Sequence, residues 1–135
     1  MDPVTVAQDS ARVMYDADVA SQSLGITVEG VSPGVATARM RISEVMINGH
    51  GMAHGGFIFL LADTAFAFAC NTYGRASVAR EAAISFLRPV HAGEDLVAEA
   101  VERHRKGRNG IYDVSVRRDT GEAVAEFRGH SRELP

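Results

Sequence analysis

Asp63 is the only residue charged at neutral pH in the run GGFIFLLADTAFAFAC, residues 55–70. Helical spacing surrounds it with Phe59, Leu60, Phe66 and Ala67, so a helix here holds a carboxylate among apolar side chains. Desolvation raises the pKa of such an acid and makes it a stronger base or a carboxylate nucleophile. The same group can also serve structure alone, accepting hydrogen bonds from backbone or from Thr64. Just before this run stands His54-Gly55-Gly56. The first N–H groups of a helix lack intrahelical acceptors and carry the positive end of its dipole. Glycine there lets a carbonyl approach without meeting a Cβ, so these donors can receive an oxyanion, although a plain Gly-rich turn reads the same way. In the loop before them, Asn48 has an amide able to orient a water or a carbonyl, and His54 can fix the turn by bonding backbone. Either can equally be a loop-packing group.

Spacing adds a condition. If the Gly55 amide and Asp63 act on one substrate, eight residues of helix separate them by about 12 Å. One subunit cannot supply both, which predicts antiparallel central helices in a two-fold dimer with two equivalent sites. His50 and His54 are four apart but lack a third ligand at a recognisable spacing, so no metal is expected. The run Arg103-His104-Arg105-Lys106-Gly107-Arg108 gathers cations at a turn. It suits a phosphate-bearing ligand, or is a solvated charged turn. Arg88 and His91 around Pro89 carry the same two readings.

The elements that must position these residues follow from periodicity. Residues 4–19 place Val6, Val13, Met14 and Ala17 on a rough helical face, which predicts an outer amphipathic helix. From Ile26 the pattern becomes β-type: ITVEGV, a Ser32-Pro33-Gly34 turn, then VATARMRI with strict alternation, a β-hairpin. The Gly-rich loop 48–56 leads into a helix over about 55–71, stopped by Asn71 and Gly74. Strands are predicted at 78–87, 95–105, 110–118 and 123–131, separated by Pro89 and Gly93, by Lys106-Gly107 and by Asp119-Thr120-Gly121. Short turns between successive strands make an antiparallel sheet, and only the helix from Gly55 is apolar enough to fill its concave face. The expected fold is α+β, a sheet curled round one central helix.

With 135 residues, 46% of them hydrophobic, the chain is sized for one domain, 1–135, with a real core. A net charge of -3 does not suit a protein that coats nucleic acid or an anionic membrane. The single cysteine, Cys70, allows no intramolecular disulfide. With no basic, apolar leader at the start, it points to the cytoplasm. The apolar run of residues 55–70 falls short of the roughly 20 residues that span a bilayer.

The segment NGHGMAHGGFIFLLADTAFAFACN, residues 48–71, resembles the signature of the PaaI-type hotdog thioesterases of phenylacetate degradation. ISFLRPVHAGEDL (84–96) and GIYDVSV (110–116) are similar to their later strands. The resemblance implies a hotdog fold, dimers paired into tetramers, and hydrolysis of acyl-CoA, phenylacetyl-CoA and its ring-hydroxylated derivatives first, without metal or organic cofactor. It puts the acidic catalyst on Asp63, the oxyanion amide on Gly55, the loop histidine on His54 and the orienting asparagine on Asn48. Expected substrate contacts are Gly56, Thr64, Arg88, Arg105, Lys106 and Arg108. Two departures stand out: Ala79 occupies a place where some relatives carry a hydroxyl, and Lys106 precedes Gly107 where relatives often show the reverse. Two other functions fit parts of the pattern. A hydratase or dehydratase would use the His54/Asp63 pair, and a non-catalytic acyl-CoA-binding module would need no Asp63.

Overall fold

The computed structural model describes residues 1–135. Its elements are helix α1 (Pro3–Ala17), the short helix α2 (Val19–Ser23), strands β1 (Thr27–Ser32) and β2 (Val35–Arg41), a 3-10 turn at Glu44–Met46, helix α3 (Gly55–Cys70), and strands β3 (Ser77–Phe86), β4 (Asp95–Lys106), β5 (Asn109–Arg118) and β6 (Ala123–Glu133). The six strands form one sheet in the order β1-β2-β4-β5-β6-β3, every pair antiparallel. Two connections leave nearest-neighbour order. The chain crosses from β2 through α3 to β3 at the far edge, then returns across the sheet to β4.

The floor of the sheet explains how close α3 can lie. Ala36 pairs with Ala100 and Ala38 with Ala98 across β2 and β4, and all four are fully buried. Four methyl groups leave room for the large side chains of α3, and Ile58, Leu61, Phe66 and Phe68 fill it. Each such burial is worth about 1.5–3 kcal/mol, so the helix is held chiefly by this face. On β6 the fit is tighter still. A Cβ at Gly129 would stand 2.7 Å from the Phe66 ring, so glycine is what lets that ring rest on the strand. Phe66 also meets Tyr112 of β5 at 5.7 Å between centroids in an edge-to-face arrangement.

Both ends of α3 are fastened by side chains. Asn71 stops the helix: its Nδ2 donates to the Ala67 carbonyl at 2.8 Å and the Ser77 carbonyl at 3.0 Å, while its Oδ1 accepts from the Ser77 N–H. Thr72 donates to the Ala69 carbonyl and accepts from the Gly34 N–H, tying the helix end to the β1–β2 turn.

The N-terminal segment differs from the single helix predicted over 4–19. The helix breaks at Asp18, whose carboxylate accepts from the Ser21 N–H at 2.9 Å and from the Ser21 hydroxyl at 2.6 Å, capping a second short helix. A capping aspartate prefers the turn to the helix interior, a local choice that the apolar spacing does not reveal. α1 packs on β1, with Tyr15 donating to the Ile26 carbonyl at 2.6 Å. No helix is long and apolar enough to cross a membrane.

Candidate functional site

The start of α3 is more selective than its sequence suggests. His54 is the N-cap, and its Nδ1 accepts the Gly56 N–H at 2.9 Å. The Phe57 N–H bonds the His54 carbonyl at 3.0 Å. Of these first three helical donors, only the Gly55 N–H has no acceptor in the chain. The cap therefore removes Gly56 as an oxyanion donor and leaves Gly55, at the positive end of a 16-residue helix.

Gly55 is also hemmed in from the side. A Cβ there would lie 2.9 Å from Cζ of Phe86, whose ring rests on the glycine from the end of β3. Phe86 and Gly55 share a recess of about 540 Å³ with Met52, Ala53, Ile58 and the segment 87–90. Its walls are mostly apolar, as an acyl group requires.

Asn48 closes the preceding loop. Its Oδ1 accepts from the His50 N–H at 2.9 Å and the Met52 N–H at 3.2 Å, and its backbone N–H bonds the Met52 carbonyl at 2.8 Å. That fixes the amide orientation and leaves its Nδ2 donors without a partner in the chain.

Asp63 lies half-buried two turns along α3, and its carboxylate makes no hydrogen bond or ion pair within the chain. Burial alone holds its pKa above the ordinary aspartate value. The purely structural reading of Asp63 required a donor such as Thr64. Thr64 is instead 7% exposed and donates its hydroxyl to the Leu60 carbonyl at 2.8 Å, so it is committed to the helix backbone. Besides Gly55 and Phe57 at its start, the part of α3 left uncovered is a stripe of Gly56, Phe59, Leu60, Asp63 and Ala67, apolar except for the one carboxylate.

The basic run does not converge as a unit. Successive strand residues point to opposite faces, and a bulge between Glu102 and His104 shifts the register. Arg103 pairs with Asp113 at 3.3 Å. Arg105 stacks on Tyr73, 3.5 Å from the ring centroid, and approaches Glu102 at 3.7 Å. Lys106 and Arg108 have no acidic partner. They face a recess of about 500 Å³ shared with Arg80, His104 and His130. Arg80 and His130 come from β3 and β6, which no local motif could join to this turn. Arg88 is occupied, donating to the Ala123 carbonyl at 2.5 Å and pairing with Glu122 at 3.3 Å. Phe86 was equally illegible, since its place over Gly55 depends on the crossover.

A six-stranded antiparallel sheet wrapped round a central helix is the architecture of the hotdog fold. The profile described as Thioesterase superfamily matches residues 50–125. The acyl-coenzyme A thioesterase PaaI of Escherichia coli (strain K12) is 42% identical over 128 residues, spanning 95% of this chain and 91% of that protein. The structure of E. coli PaaI superposes with a TM-score of 0.97 at 40% identity, covering 99% of this chain and 97% of that one. A mutant of the phenylacetic acid degradation protein PaaI from Thermus thermophilus gives a TM-score of 0.81 at 38% identity, covering 84% and 97%. The chain belongs to the thioesterase superfamily, and its activity is thioester hydrolysis.

Proposed function

We propose that this chain hydrolyses acyl-CoA thioesters, phenylacetyl and ring-hydroxylated phenylacetyl groups being its preferred acyl portions, at two sites each shared between two subunits. The observation that carries the reading is the pairing of one unpartnered N–H, Gly55, with one unpartnered half-buried carboxylate, Asp63, on the same helix. They are about 12 Å apart along the axis, so a single carbonyl reaches the amide of one copy and the carboxylate of a second. Antiparallel helices related by a two-fold axis near Phe59 and Leu60 meet that demand. The uncovered stripe supplies an apolar surface for the contact, and β3, a ten-residue strand bonded on one side only, offers an open edge beside it.

In the site so formed, Asp63 attacks the thioester carbon or takes a proton from the water that does. The carbonyl oxygen gains charge and accepts from the Gly55 N–H as the carbon–sulfur bond breaks; in the base route the proton taken from water passes to the departing sulfur, and in the nucleophile route CoA leaves as the thiolate and water then hydrolyses the acyl–Asp63 anhydride, freeing the acid and supplying the thiol proton. The Asn48 amide donates to the carbonyl or holds the water. The acyl group lies in the recess under Phe86, and the CoA phosphates take the recess of Lys106, Arg108 and Arg80. Arg88 frames the acyl recess with its guanidinium already held by Ala123 and Glu122, Arg105 stays stacked on Tyr73, and Thr64 stays bonded to the helix backbone, so none of the three is assigned a direct polar contact with substrate. A homotetramer built from two such dimers, working in the cytoplasm, completes the proposal.

Thiol release by the purified protein from phenylacetyl-, hydroxyphenylacetyl-, benzoyl- and straight-chain acyl-CoA tests it. Fastest cleavage of an aryl-acetyl thioester, lost in Asp63→Asn with folding intact, is the expected outcome. A hydrated thioester as product, or unchanged turnover in that variant, would overturn it.

A further inference from the structure

The connection from β3 to β4, residues 87–94, is bonded to the sheet at its two ends, the Gly93 N–H to the Ile42 carbonyl at 2.7 Å and the Ile42 N–H to the Glu94 carbonyl at 2.9 Å at the far one, and is gripped between them by one side chain from the end of β5. Arg118 donates from Nη2 to the Pro89 carbonyl at 2.5 Å. Its Nε stands 3.4 Å from Glu94 Oε1 and its Nη1 3.2 Å from Glu122 Oε1. Glu94 in turn accepts the His91 N–H at 2.7 Å, and the Leu87 N–H bonds the Val124 carbonyl at 2.8 Å. The guanidinium side chain is 21% exposed, unlike the open surface pair Arg41–Asp95, whose members are 69% and 50% exposed. Arg41 forks onto Asp95 in the open and only joins β2 to β4, whereas the Arg118 guanidinium, its Nε without a hydrogen bond, lies between two carboxylates and bonds the connection itself at the Pro89 carbonyl.

What this clasp holds is the entrance to α3. Val90, buried at the centre of the connection, accepts the Ala53 N–H on its carbonyl at 2.7 Å. Ala53 lies two residues before Gly55, and the next residue is tied from the other side by the bond from the His54 N–H to the Met46 carbonyl at 2.8 Å. Phe86 and Leu87, which wall the recess at Gly55, run directly into the same connection. The placement of the Gly55 N–H thus depends on where the Val90 carbonyl sits, and that depends on the neighbouring Pro89 carbonyl gripped by Arg118.

We infer that Arg118, with Glu94, is a positioning residue for the Gly55 amide, acting through the 87–94 connection and the Val90–Ala53 bond. The inference rests on the reading of Gly55 as the oxyanion donor. An oxyanion donor acts on charge that exists only in the transition state, so its misplacement lowers kcat and leaves KM nearly alone.

The test compares Arg118→Met, Arg118→Lys and the control Arg41→Gln, by kcat and KM for thiol release and by amide hydrogen exchange over residues 46–56. In Arg118→Met, kcat is expected to fall about 10- to 100-fold with KM within about twofold. Exchange should rise in that segment, Arg118→Lys should recover part of kcat, and Arg41→Gln should change neither. Should Arg118→Met fail to fold, Glu94→Gln takes its place, since it keeps the bond to Pro89 and neutralises one arm. Its kcat is expected to fall about 3- to 10-fold, again with KM held. Unchanged kcat, a loss confined to KM, or a lower kcat without faster exchange would each overturn the inference. Absence of thiol release by the unaltered protein would instead refute the functional reading, and exchange in the segment would then still decide whether Arg118 holds it.

Discussion

Replacing Gly55 with alanine separates the chemistry of the helix start from its stability. The glycine has no positive φ, so alanine meets no backbone strain there. Gly→Ala at a compatible position stabilises by about 0.4–1 kcal/mol through the unfolded chain. Against that gain, the new Cβ would lie 2.9 Å from Phe86 Cζ and 3.3 Å from both Cε atoms. Ordinary carbon contacts begin near 3.5 Å, so the ring must move by roughly half an ångström or more. Phe86 is 53% exposed at a strand end, and it can turn outward at a cost well below the 1–3 kcal/mol of overpacking in a closed core. The two effects nearly cancel, leaving stability within about 1 kcal/mol of the unaltered protein. Activity has no such compensation. A methyl group and a displaced ring would stand where the carbonyl must approach the amide, and losing one oxyanion donor costs about 100- to 1000-fold in kcat. Urea unfolding beside steady-state thiol release measures both quantities on one sample. A Gly55→Ala variant that keeps its turnover, or that loses more than about 2 kcal/mol of stability, would refute this reasoning.

His54→Ala removes the acceptor for the Gly56 N–H and should cost about 1 kcal/mol of stability, while His54→Asn, itself a good cap, should keep most of it; thermal melts of the two compare them directly. Asp63→Asn should be more stable than the unaltered protein at neutral pH. Burial raises the folded-state pKa of Asp63, so its ionised form opposes folding above that pKa; the opposition fades as pH falls through it and is gone below the ordinary value of 3.8. Unfolding curves from pH 7 to pH 3.5 should show the two proteins converging in acid. Lys106→Ala and Arg108→Ala should raise KM for CoA thioesters by several-fold, less at high salt, with kcat little changed; kinetics at two ionic strengths read this.

Much of the architecture was legible because α3 and the strands carry strong periods. Alternation in 35–42 marked β2, and the Gly-rich loop followed by sixteen nearly unbroken apolar residues marked α3. Asp63 declared itself as the single charge in that run. The break at Asp18 was hidden, because a capping bond between Asp18 and Ser21 is a three-residue choice beneath a longer helical pattern. At the helix start the sequence pointed to Gly55 as the oxyanion amide and to Gly56 as a substrate contact, and what it did not reveal is that the His54 ring takes the Gly56 N–H. Arg105 and Lys106 are neighbours in sequence, yet the strand pleat turned one onto Tyr73 and the other into the basic recess. Phe86, Arg80 and His130 left no local signal, since each acts through a pairing made by the crossover, and Arg118 left none because the Pro89 carbonyl it grips is 29 residues away.

The shared site itself is tested most directly by mixing two inactive proteins, Gly55→Ala and Asp63→Asn, under conditions that exchange subunits, and measuring thiol release. In a mixed dimer one site carries both changes and the other carries neither. Random pairing makes about half the dimers mixed, so activity should return to about a quarter of the unaltered protein's. A mixture that stays as inactive as its components, with subunit exchange demonstrated, would contradict a site built from Gly55 of one copy and Asp63 of the other.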